Sequence, residues 1–179
     1  MPFKTLLENI PELFQHPATI LYVGASPHRF DLKTPLIEAR HTIVLLERYY
    51  PNCQHFRYAT TLEWVVYGDV RDIWNYQVPV PIDVAIWWHG PEHVEKKGEL
   101  ADAVMNLEII AKSLVILASP WGECPQDDAY GNPFEVHRST LYVRDYRRLD
   151  YQTATCGAVD KPPKSDIVAW KWVGGKWWQ

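Results

Sequence analysis

Short apolar runs recur along the chain, and most of them end in small or polar residues. Runs of roughly four to eight apolar residues between turn-forming residues are typical of strands that are buried on both faces of a sheet. The first run, residues 20–23, ends at a small-residue turn, residues 24–27, and open α/β sheets bind their ligands at such carboxyl ends. The pattern predicts strands at residues 20–23, 41–46, 62–67, 82–88, 113–118, 151–156 and 167–173.

Segments with helical spacing separate most of these strands. Apolar residues recur over residues 1–16, with an interruption at Pro11, and predict an amphipathic helix that braces the sheet. The clearest helix is predicted over residues 92–112, because Pro91 and the acidic residues after it suit a first helical turn. Shorter helical segments are predicted at residues 35–40, 72–76 and 143–149, a turn-forming linker at residues 160–164, and a tail at residues 174–179.

The order of these elements predicts one α/β domain over residues 1–179. Parallel strands alternate with helical or irregular crossovers, and the last two strands form an antiparallel hairpin. A chain of 179 residues is long enough to bury a core that is stable without disulfides or a structural metal.

Composition and charge argue against several classes of protein. A net charge of −4 provides no basic surface for nucleic acid, and no window of roughly eighteen residues is apolar enough to cross a membrane. Cys53, Cys124 and Cys156 are far apart and form no C-x-x-C pair, which is typical of neither a disulfide framework nor a zinc site. The N-terminus lacks the basic and apolar regions of a signal peptide. We therefore expect a cytoplasmic protein without nucleic-acid or membrane partners.

Each of the first four predicted strands leads into a short motif. The sequence VGASP at residues 23–27 follows the first strand, Glu47 ends the second, GDV at residues 68–70 follows the third, and HGPEH at residues 89–93 follows the fourth. In this order the motifs resemble those of the class I S-adenosylmethionine-dependent methyltransferases, over residues 19–172. The resemblance implies a Rossmann-like, doubly wound, mostly parallel sheet of seven strands in which a reversed seventh strand lies beside the sixth. It also implies S-adenosyl-L-methionine as the cofactor.

The resemblance assigns cofactor binding to the first three motifs. The first turn approaches the amino-acid part of the cofactor closely, which requires small residues, and only Gly24 remains of the family's G-x-G-x-G pattern. Glu47 holds the two ribose hydroxyls, since a carboxylate accepts two hydrogen bonds from a diol, and Asp69 contacts the adenine amino group. Trp87 and Trp88 point to opposite faces of the fourth strand, and we assign Trp88 to the wall of the cofactor pocket. The predicted cofactor-binding residues are Gly24, Ala25, Ser26, Glu47, Asp69, Val70 and Trp88.

The fourth motif and the loop after the fifth strand are predicted to handle the methyl acceptor. The fourth motif of the family lies beside the transferable methyl group, so His89, Glu92 and His93 are the candidate catalytic residues, with His89 or Glu92 as a general base. The loop at residues 120–137 is long, polar and rich in turn-forming residues, as substrate-contacting loops are. Its candidate acceptor-binding residues are Trp121, Asn132, Glu135 and His137.

Three other functions compete with methyl transfer. A metal-dependent hydrolase would use four potential ligands, but Gly90 and Pro91 interrupt the helical spacing that such sites use, and we assign no metal ligands. A non-catalytic Rossmann-like protein that binds a nucleoside fits the degenerate first turn. A dinucleotide oxidoreductase is disfavoured because G-x-G-x-x-G is absent. The potential metal ligands are His89, His93, Glu135 and His137.

The leading hypothesis is therefore a methyltransferase that acts on a small-molecule or peptide acceptor. The tryptophan-rich tail at residues 176–179 can pack on its own sheet or on a neighbouring subunit, which makes a homodimer a further hypothesis.

Overall fold

The computed structural model describes residues 2–28, 30, 32–59, 64–78, 81–157 and 165–179. The predicted linker at residues 160–164 and the first residues of the predicted third strand, 62–63, lie outside the described residues. Strands β1 to β7 are Thr19–Val23, Thr42–Glu47, Trp64–Tyr67, Ile82–Trp88, Ala111–Pro120, Gln152–Gly157 and Ser165–Trp172. Helices α1 to α5 are Pro2–Asn9, Lys33–Glu38, Tyr50–Ala59, Glu99–Ile110 and Val143–Arg147, and short 3₁₀ turns occupy Pro11–Phe14, Val70–Asn75, Pro91–His93 and Pro133–Glu135.

The strands form one sheet in the order β3-β2-β1-β4-β5-β7-β6. Strands β1 to β5 pair in parallel, and β7 is antiparallel to both of its neighbours, β5 and β6. The predicted Rossmann-like sheet with a reversed seventh strand is confirmed. The strand order reverses between β1 and β4, where an open α/β sheet leaves a crevice at its carboxyl edge.

Helices cover both faces of the sheet, as the doubly wound prediction requires. Leu21 and Val23 of β1 pack with α4, α5 and the Val70–Asn75 turn on one face. Ile20 and Tyr22 of the same strand pack on the other face with α1, α2 and α3. Because successive side chains of a strand point to opposite faces, a run that is apolar throughout is buried on both.

The structure corrects the predicted helix at residues 92–112. A 3₁₀ turn at Pro91–His93 is separate from α4, and Gly98 precedes α4 with a positive φ of 97° that favours glycine. Ala111, predicted to be helical, already belongs to β5. Sequence analysis also missed α3, which has a weak apolar stripe: of residues 50–58, whose burial the structure describes, Cys53 and Phe56 are buried.

The two ends of the chain pack against each other. Leu6, Ile10 and Leu13 of the N-terminal segment are fully buried against the sheet. The Trp177 indole N–H donates to the His16 carbonyl (3.2 Å), and Trp178 stacks on the His16 ring. This arrangement uses the tail within its own chain, and the homodimer stays a prediction. Among the described residues, no helix combines the length and the apolar character that crossing a bilayer requires.

Candidate functional site

A cleft opens at the carboxyl ends of β1 to β4. Val23 is paired with Leu46 on one side and with Trp87 on the other, so the turns that follow these strands meet at one edge of the sheet. The cleft holds about 580 Å³ of empty space, part of it open to solvent. Its lining is Val23, Gly24, Leu46, Glu47, Arg48, Gly68, Asp69, Val70, Trp87, His89, Gly90, His93, Val94, Asn132, Phe134 and Glu135.

Eight of the predicted site residues line this cleft, and they come from all four strand ends and from the loop after β5. They are Gly24, Glu47, Asp69, Val70, His89, His93, Asn132 and Glu135. The other six predicted residues lie outside the lining. They are Ala25, Ser26, Trp88, Glu92, Trp121 and His137.

The turn after β1 contributes space rather than donors. Gly24 has a φ of 70°, and a Cβ placed on it would meet no atom within 4 Å, so the backbone is open towards a ligand. Its N–H already donates to the Leu46 carbonyl (2.9 Å). Ala25 packs into the core with α1 and α2, and Ser26 is buried as well. Of the three residues predicted for the cofactor's amino-acid part, only Gly24 reaches the cleft.

Glu47 ends β2 as a buried carboxyl group in the cleft wall. Its side chain accepts a hydrogen bond from the Tyr49 N–H (2.6 Å), and the residue is only 5% exposed. Burial raises the pKa of Glu47 to about 8; the Tyr49 hydrogen bond opposes this shift and the charge of Glu135 adds to it. The carboxyl group is therefore largely protonated at neutral pH, and a ligand that hydrogen-bonds its charged form would favour its ionisation.

Asp69 is held by two arginines. It accepts from the backbone N–H of Arg71 (2.9 Å), from the Arg71 guanidinium (2.8–3.2 Å) and from Arg48 Nε (3.0 Å). Burial alone would raise the pKa of Asp69, but the Arg71 hydrogen bonds and the two guanidinium charges outweigh it and lower the pKa. Arg48 also lies 4.0 Å above the Phe134 ring. These donors use the acceptor positions of the carboxylate, so an adenine amino group would have to displace one of them.

The end of β4 corrects the assignment of Trp88. Trp87 lines the cleft, whereas Trp88 packs on the opposite face with the α1 and α2 residues. The alternation of the two side chains was predicted, but which face carries the cleft depends on the packing of the whole sheet. A Cβ placed on Gly90 would lie 1.7 Å from Trp87 Nε1, so the glycine leaves room for this indole.

Glu92 lies behind the cleft wall among three imidazoles. Its side chain is 3% exposed, and Oε1 lies 3.4 Å from His89 Nδ1 and 4.0 Å from both His93 Nε2 and His137 Nε2. Among the described residues, neither carboxylate oxygen has a hydrogen-bond partner. Burial lowers the pKa of His137, against the opposing effects of the Cys124 carbonyl and the Glu92 charge.

The loop after β5 folds back over this turn. The N–H groups of Arg138 and Ser139 donate to the Glu92 carbonyl (2.8 and 3.0 Å), which fixes the loop to the end of β4. Asn132 accepts from the Phe134 N–H (3.0 Å) and places Glu135 beside the cleft. The remaining predicted acceptor residues differ: Trp121 packs against the core, and His137 joins the Glu92 group.

Eight lining residues were not among the predicted site residues, and three of them, Arg48, Phe134 and Trp87, place large polar or aromatic side chains in the cleft wall. Arg48 directly follows the strand-end glutamate, and Phe134 lies inside the predicted acceptor loop. Neither position in the sequence indicates that these two side chains contact each other. Trp87 and Trp88 were equivalent candidates for the cleft wall, because the sequence does not show which face of β4 carries the cleft. Only the position of Gly90, a small residue three places after Trp87, could have indicated a close contact there.

Several solved structures share this fold. A S-adenosylmethionine-dependent methyltransferase from Clostridium acetobutylicum matches with a TM-score of 0.63 at 9% identity, over 96% of this chain and 90% of that chain. Magnesium protoporphyrin IX methyltransferase from Synechocystis, with bound SAH, matches with a TM-score of 0.62 at 12% identity, over 96% and 80%. The N-terminal domain of EvdMO1, in the presence of SAH and D-fucose, matches with a TM-score of 0.62 at 16% identity, over 94% and 80%.

By sequence, no protein-family model and no curated protein matches the chain. With TM-scores of 0.62–0.63 at identities of 9–16%, the structural matches establish a shared fold. The chemistry has to be argued from the residues of the cleft. The strand order and the reversed β7 nevertheless agree with the resemblance seen in the motifs. The chain has the fold of the class I S-adenosylmethionine-dependent methyltransferases, with its cleft at the carboxyl ends of β1 to β4.

Proposed function

We propose that the chain binds S-adenosylmethionine in this cleft and transfers its methyl group to a small-molecule or peptide acceptor. The observation that carries the proposal is the meeting of Gly24, Glu47, Asp69 and His89 around one cavity. These residues belong to four different strand ends, and the family places its cofactor and its reacting groups at those ends. Structures of magnesium protoporphyrin IX methyltransferase and of the N-terminal domain of EvdMO1 have SAH bound, which supports the same class of ligand here.

The residues around β1 to β3 fit the cofactor. Gly24 leaves open space where a side chain would otherwise block the approach of the amino-acid part. Glu47 presents a buried carboxyl group to a ribose diol, and burial strengthens a hydrogen bond made there. Val70 and Trp87 provide apolar walls for a nucleobase. S-adenosylmethionine, when bound, would supply a methyl group on a positively charged sulfur.

The residues after β4 and β5 are proposed to hold the acceptor. His89 lines the cleft with a φ of 49°, a conformation that turns the chain sharply after the strand. We assign it to accept the proton of an acceptor hydroxyl or amine, with Glu92 and His93 beside it. Asn132 and Glu135 line the opposite wall and would orient the acceptor's polar groups. Since methyl transfer is an in-line displacement, positioning by these residues contributes most of the rate.

Calorimetric titration with S-adenosylmethionine and with SAH tests the cofactor site. Glu47→Gln should weaken binding by about 1–3 kcal/mol, because the amide replaces one oxygen of the carboxyl group with a donor and leaves one ribose hydroxyl without its acceptor. Glu38→Gln, at an exposed position on α2, is the matched control and should bind as the wild type does. Absence of binding by the wild type at millimolar ligand would refute the proposal, and equal binding by Glu47→Gln would remove Glu47 from the site.

Transfer of a labelled methyl group to a panel of hydroxyl compounds, amines and peptides tests the reaction. His89→Ala should lower the transfer rate while the dissociation constant of S-adenosylmethionine stays unchanged, because His89 is assigned to the acceptor. A parallel loss of cofactor binding would place His89 in the cofactor site instead.

A second candidate is a nucleoside-binding protein without catalytic activity. Two observations favour it: the Asp69 carboxylate is already paired with Arg48 and Arg71, and of the small turn residues Gly24, Ala25 and Ser26 only Gly24 lines the cleft. Tight binding of S-adenosylmethionine without transfer to any compound of the panel would support this candidate over methyl transfer.

A further inference from the structure

Three potential ligand atoms converge behind the acceptor end of the cleft. One ligand atom each from Glu92, His93 and His137 lies within 4.8 Å of the others. Glu92 is buried and the two histidines are partly buried, with exposed side-chain fractions of 3% for Glu92, 14% for His93 and 7% for His137. We infer that these three residues form a binding site for one divalent transition-metal ion.

The tautomers of the two histidines point their lone pairs at Glu92. His93 Nδ1 lies 3.2 Å from the Val136 carbonyl, and His137 Nδ1 is hydrogen-bonded to the Cys124 carbonyl. A carbonyl only accepts hydrogen bonds, so Nδ1 carries the proton in both rings. In the neutral rings, Nε2 then bears the lone pair, and both Nε2 atoms lie 4.0 Å from Glu92 Oε1. Backbone carbonyls that fix ligand histidines in this way are the usual supporting groups of metal sites.

Glu92 provides the independent reason for a cation. Its residue is 2% exposed, and both oxygens lack a hydrogen-bond partner among the described residues. An uncompensated buried carboxylate costs several kcal/mol. The lone pairs of His93 and His137 that face it cannot compensate this charge, because all three groups are acceptors, and the third neighbouring imidazole nitrogen, His89 Nδ1, lies 3.4 Å from Oε1. A cation between them satisfies every one of the three atoms.

The donor set selects the class of metal. Two imidazole nitrogens and one carboxylate oxygen suit Zn²⁺, Co²⁺, Mn²⁺ or Fe²⁺ and are unusual for Ca²⁺ or Mg²⁺, which prefer oxygen ligands. Ligands bound tetrahedrally at about 2.0–2.1 Å lie about 3.4 Å apart. The two 4.0 Å separations from Glu92 therefore require a closure of roughly half an ångström, and the separation between the two histidine ligand atoms, which is within 4.8 Å, requires at most about 1.4 Å. The hydrogen bonds from Arg138 and Ser139 to the Glu92 carbonyl already hold the two contributing segments together.

The site faces the cleft. His93 lines the cavity, and Glu135 Oε2 lies 3.8 Å from His93 Nε2, within reach as a fourth donor. Three protein ligands that leave a further coordination position are typical of metals that contact a substrate. The ion would therefore bind where the proposed function places the methyl acceptor, although metal binding itself does not depend on methyl transfer.

Titration of the intact, metal-stripped chain of 179 residues with Co²⁺ tests the site, because the visible absorption of Co²⁺ reports its ligands directly. The wild type should bind one equivalent of Co²⁺ with a spectrum of nitrogen and oxygen coordination. His93→Gln and His137→Gln should each weaken binding about 100-fold or more, exceeding the usual effect of changing only a supporting group. His55→Gln, at an exposed histidine on α3, is the matched control and should leave binding unchanged.

Thermal melts of the same preparations show whether each variant is folded, and Glu92→Gln provides a nearly isosteric third variant. Wild-type binding below a tenth of an equivalent at millimolar Co²⁺ would overturn the inference, as would unchanged binding in folded His93→Gln and His137→Gln. A calorimetric titration with S-adenosylmethionine separates this result from the proposed function. Metal binding without cofactor binding would keep the site and favour the hydrolase alternative, whereas cofactor binding without metal binding would keep the methyltransferase proposal alone.

Discussion

The two halves of the cleft treat buried charge in opposite ways. In the half formed by the ends of β1 to β3, the cofactor half, the carboxylate of Asp69 receives hydrogen bonds from Arg71 and an ion pair from Arg48. In the half formed by the end of β4 and the loop after β5, the acceptor half, the Glu92 carboxylate faces only the lone pairs of two imidazoles and the nearby His89. Asp69 is thus compensated by two guanidinium groups of the chain, whereas Glu92, among the described residues, has imidazoles as its neighbours.

This difference distinguishes a carboxylate that stabilises the fold from one that is available to a ligand. Asp69 also accepts from the Arg71 N–H at the start of the Val70–Asn75 turn, so its charge organises the backbone there. Glu92 organises no backbone through its side chain, and its burial is costly without a cation. Uncompensated buried polar groups in a cleft are therefore the better indicators of a ligand than strand-end carboxylates that already have partners.

The largest expected effect concerns Glu47, the other buried carboxyl group of the cofactor half. Burial raises the pKa of Glu47, and no positively charged side chain contributes to that shift. Its folded-state pKa of about 8 exceeds the ordinary value of 4.5, so its contribution to stability is complete below about pH 4.5 and is lost as the pH rises to 8. Glu47→Gln removes this loss, and the stability of the variant relative to the wild type should rise by about 3–5 kcal/mol between pH 4.5 and pH 9.

Urea denaturation at several pH values measures this difference. Glu38→Gln serves as the control and should follow the wild type at every pH. A constant difference between Glu47→Gln and the wild type across the range would show that Glu47 ionises normally.

Asp69→Asn should destabilise the protein by about 1.5–3 kcal/mol, because two guanidinium groups lose their charged acceptor. The lowered pKa of Asp69 adds a signature: its contribution is present above the ordinary pKa of 3.8 and is lost as the pH falls through the lower folded-state pKa. Denaturation at neutral and acidic pH measures both effects. Asp72→Asn changes an exposed acid in the same turn and should cost little; equal costs for the two variants would contradict the special role of Asp69.

Gly90→Ala tests the close contact between Gly90 and Trp87, which lies between the two halves of the cleft. The added methyl group would overlap Trp87, whose indole must then move in the cleft, and overpacking of this kind costs about 1–3 kcal/mol. Thermal denaturation should show the loss, and S-adenosylmethionine should bind more weakly because Trp87 lines its cavity. Gly175→Ala, where a Cβ meets no atom within 4 Å, is the control. Unchanged stability and binding would mean that the indole relocates freely.

Glu92→Gln should have the smallest effect on the metal-free protein. The carboxylate loses no hydrogen bond, and the new amide N–H can donate to His93 or His137 Nε2, so we expect stabilisation of up to about 1 kcal/mol at pH 8.5 with a chelator present. Glu95→Gln, at an exposed neighbour, should be neutral. A loss of more than about 1 kcal/mol would show that Glu92 has a partner within the chain and that the two halves are alike.

Much of the frame was accessible from sequence because local patterns encode it. All seven strands lie within a few residues of their predicted positions, since continuous apolar runs have few alternatives to a buried strand. Helix boundaries were less accessible: the turn before Gly98 carries no apolar pattern, and α3 buries too few side chains to show a period. Glu47, Asp69 and His89 line one cleft because each lies at a strand end or within two residues after it, and their cofactor and catalytic roles stay predictions.

By itself, the sequence determined the class of fold and the order in which polar groups reach one edge of the sheet, because strand periodicity and strand-end turns are local properties. Only the tertiary structure decided which of Trp87 and Trp88 faces the cleft. It also decided that Arg48 and Arg71 pair with the Asp69 carboxylate, and that His137 lies beside Glu92 and His93. These outcomes depend on contacts between segments that are distant along the chain. Local patterns carry no information about the partner at the other end of such a contact.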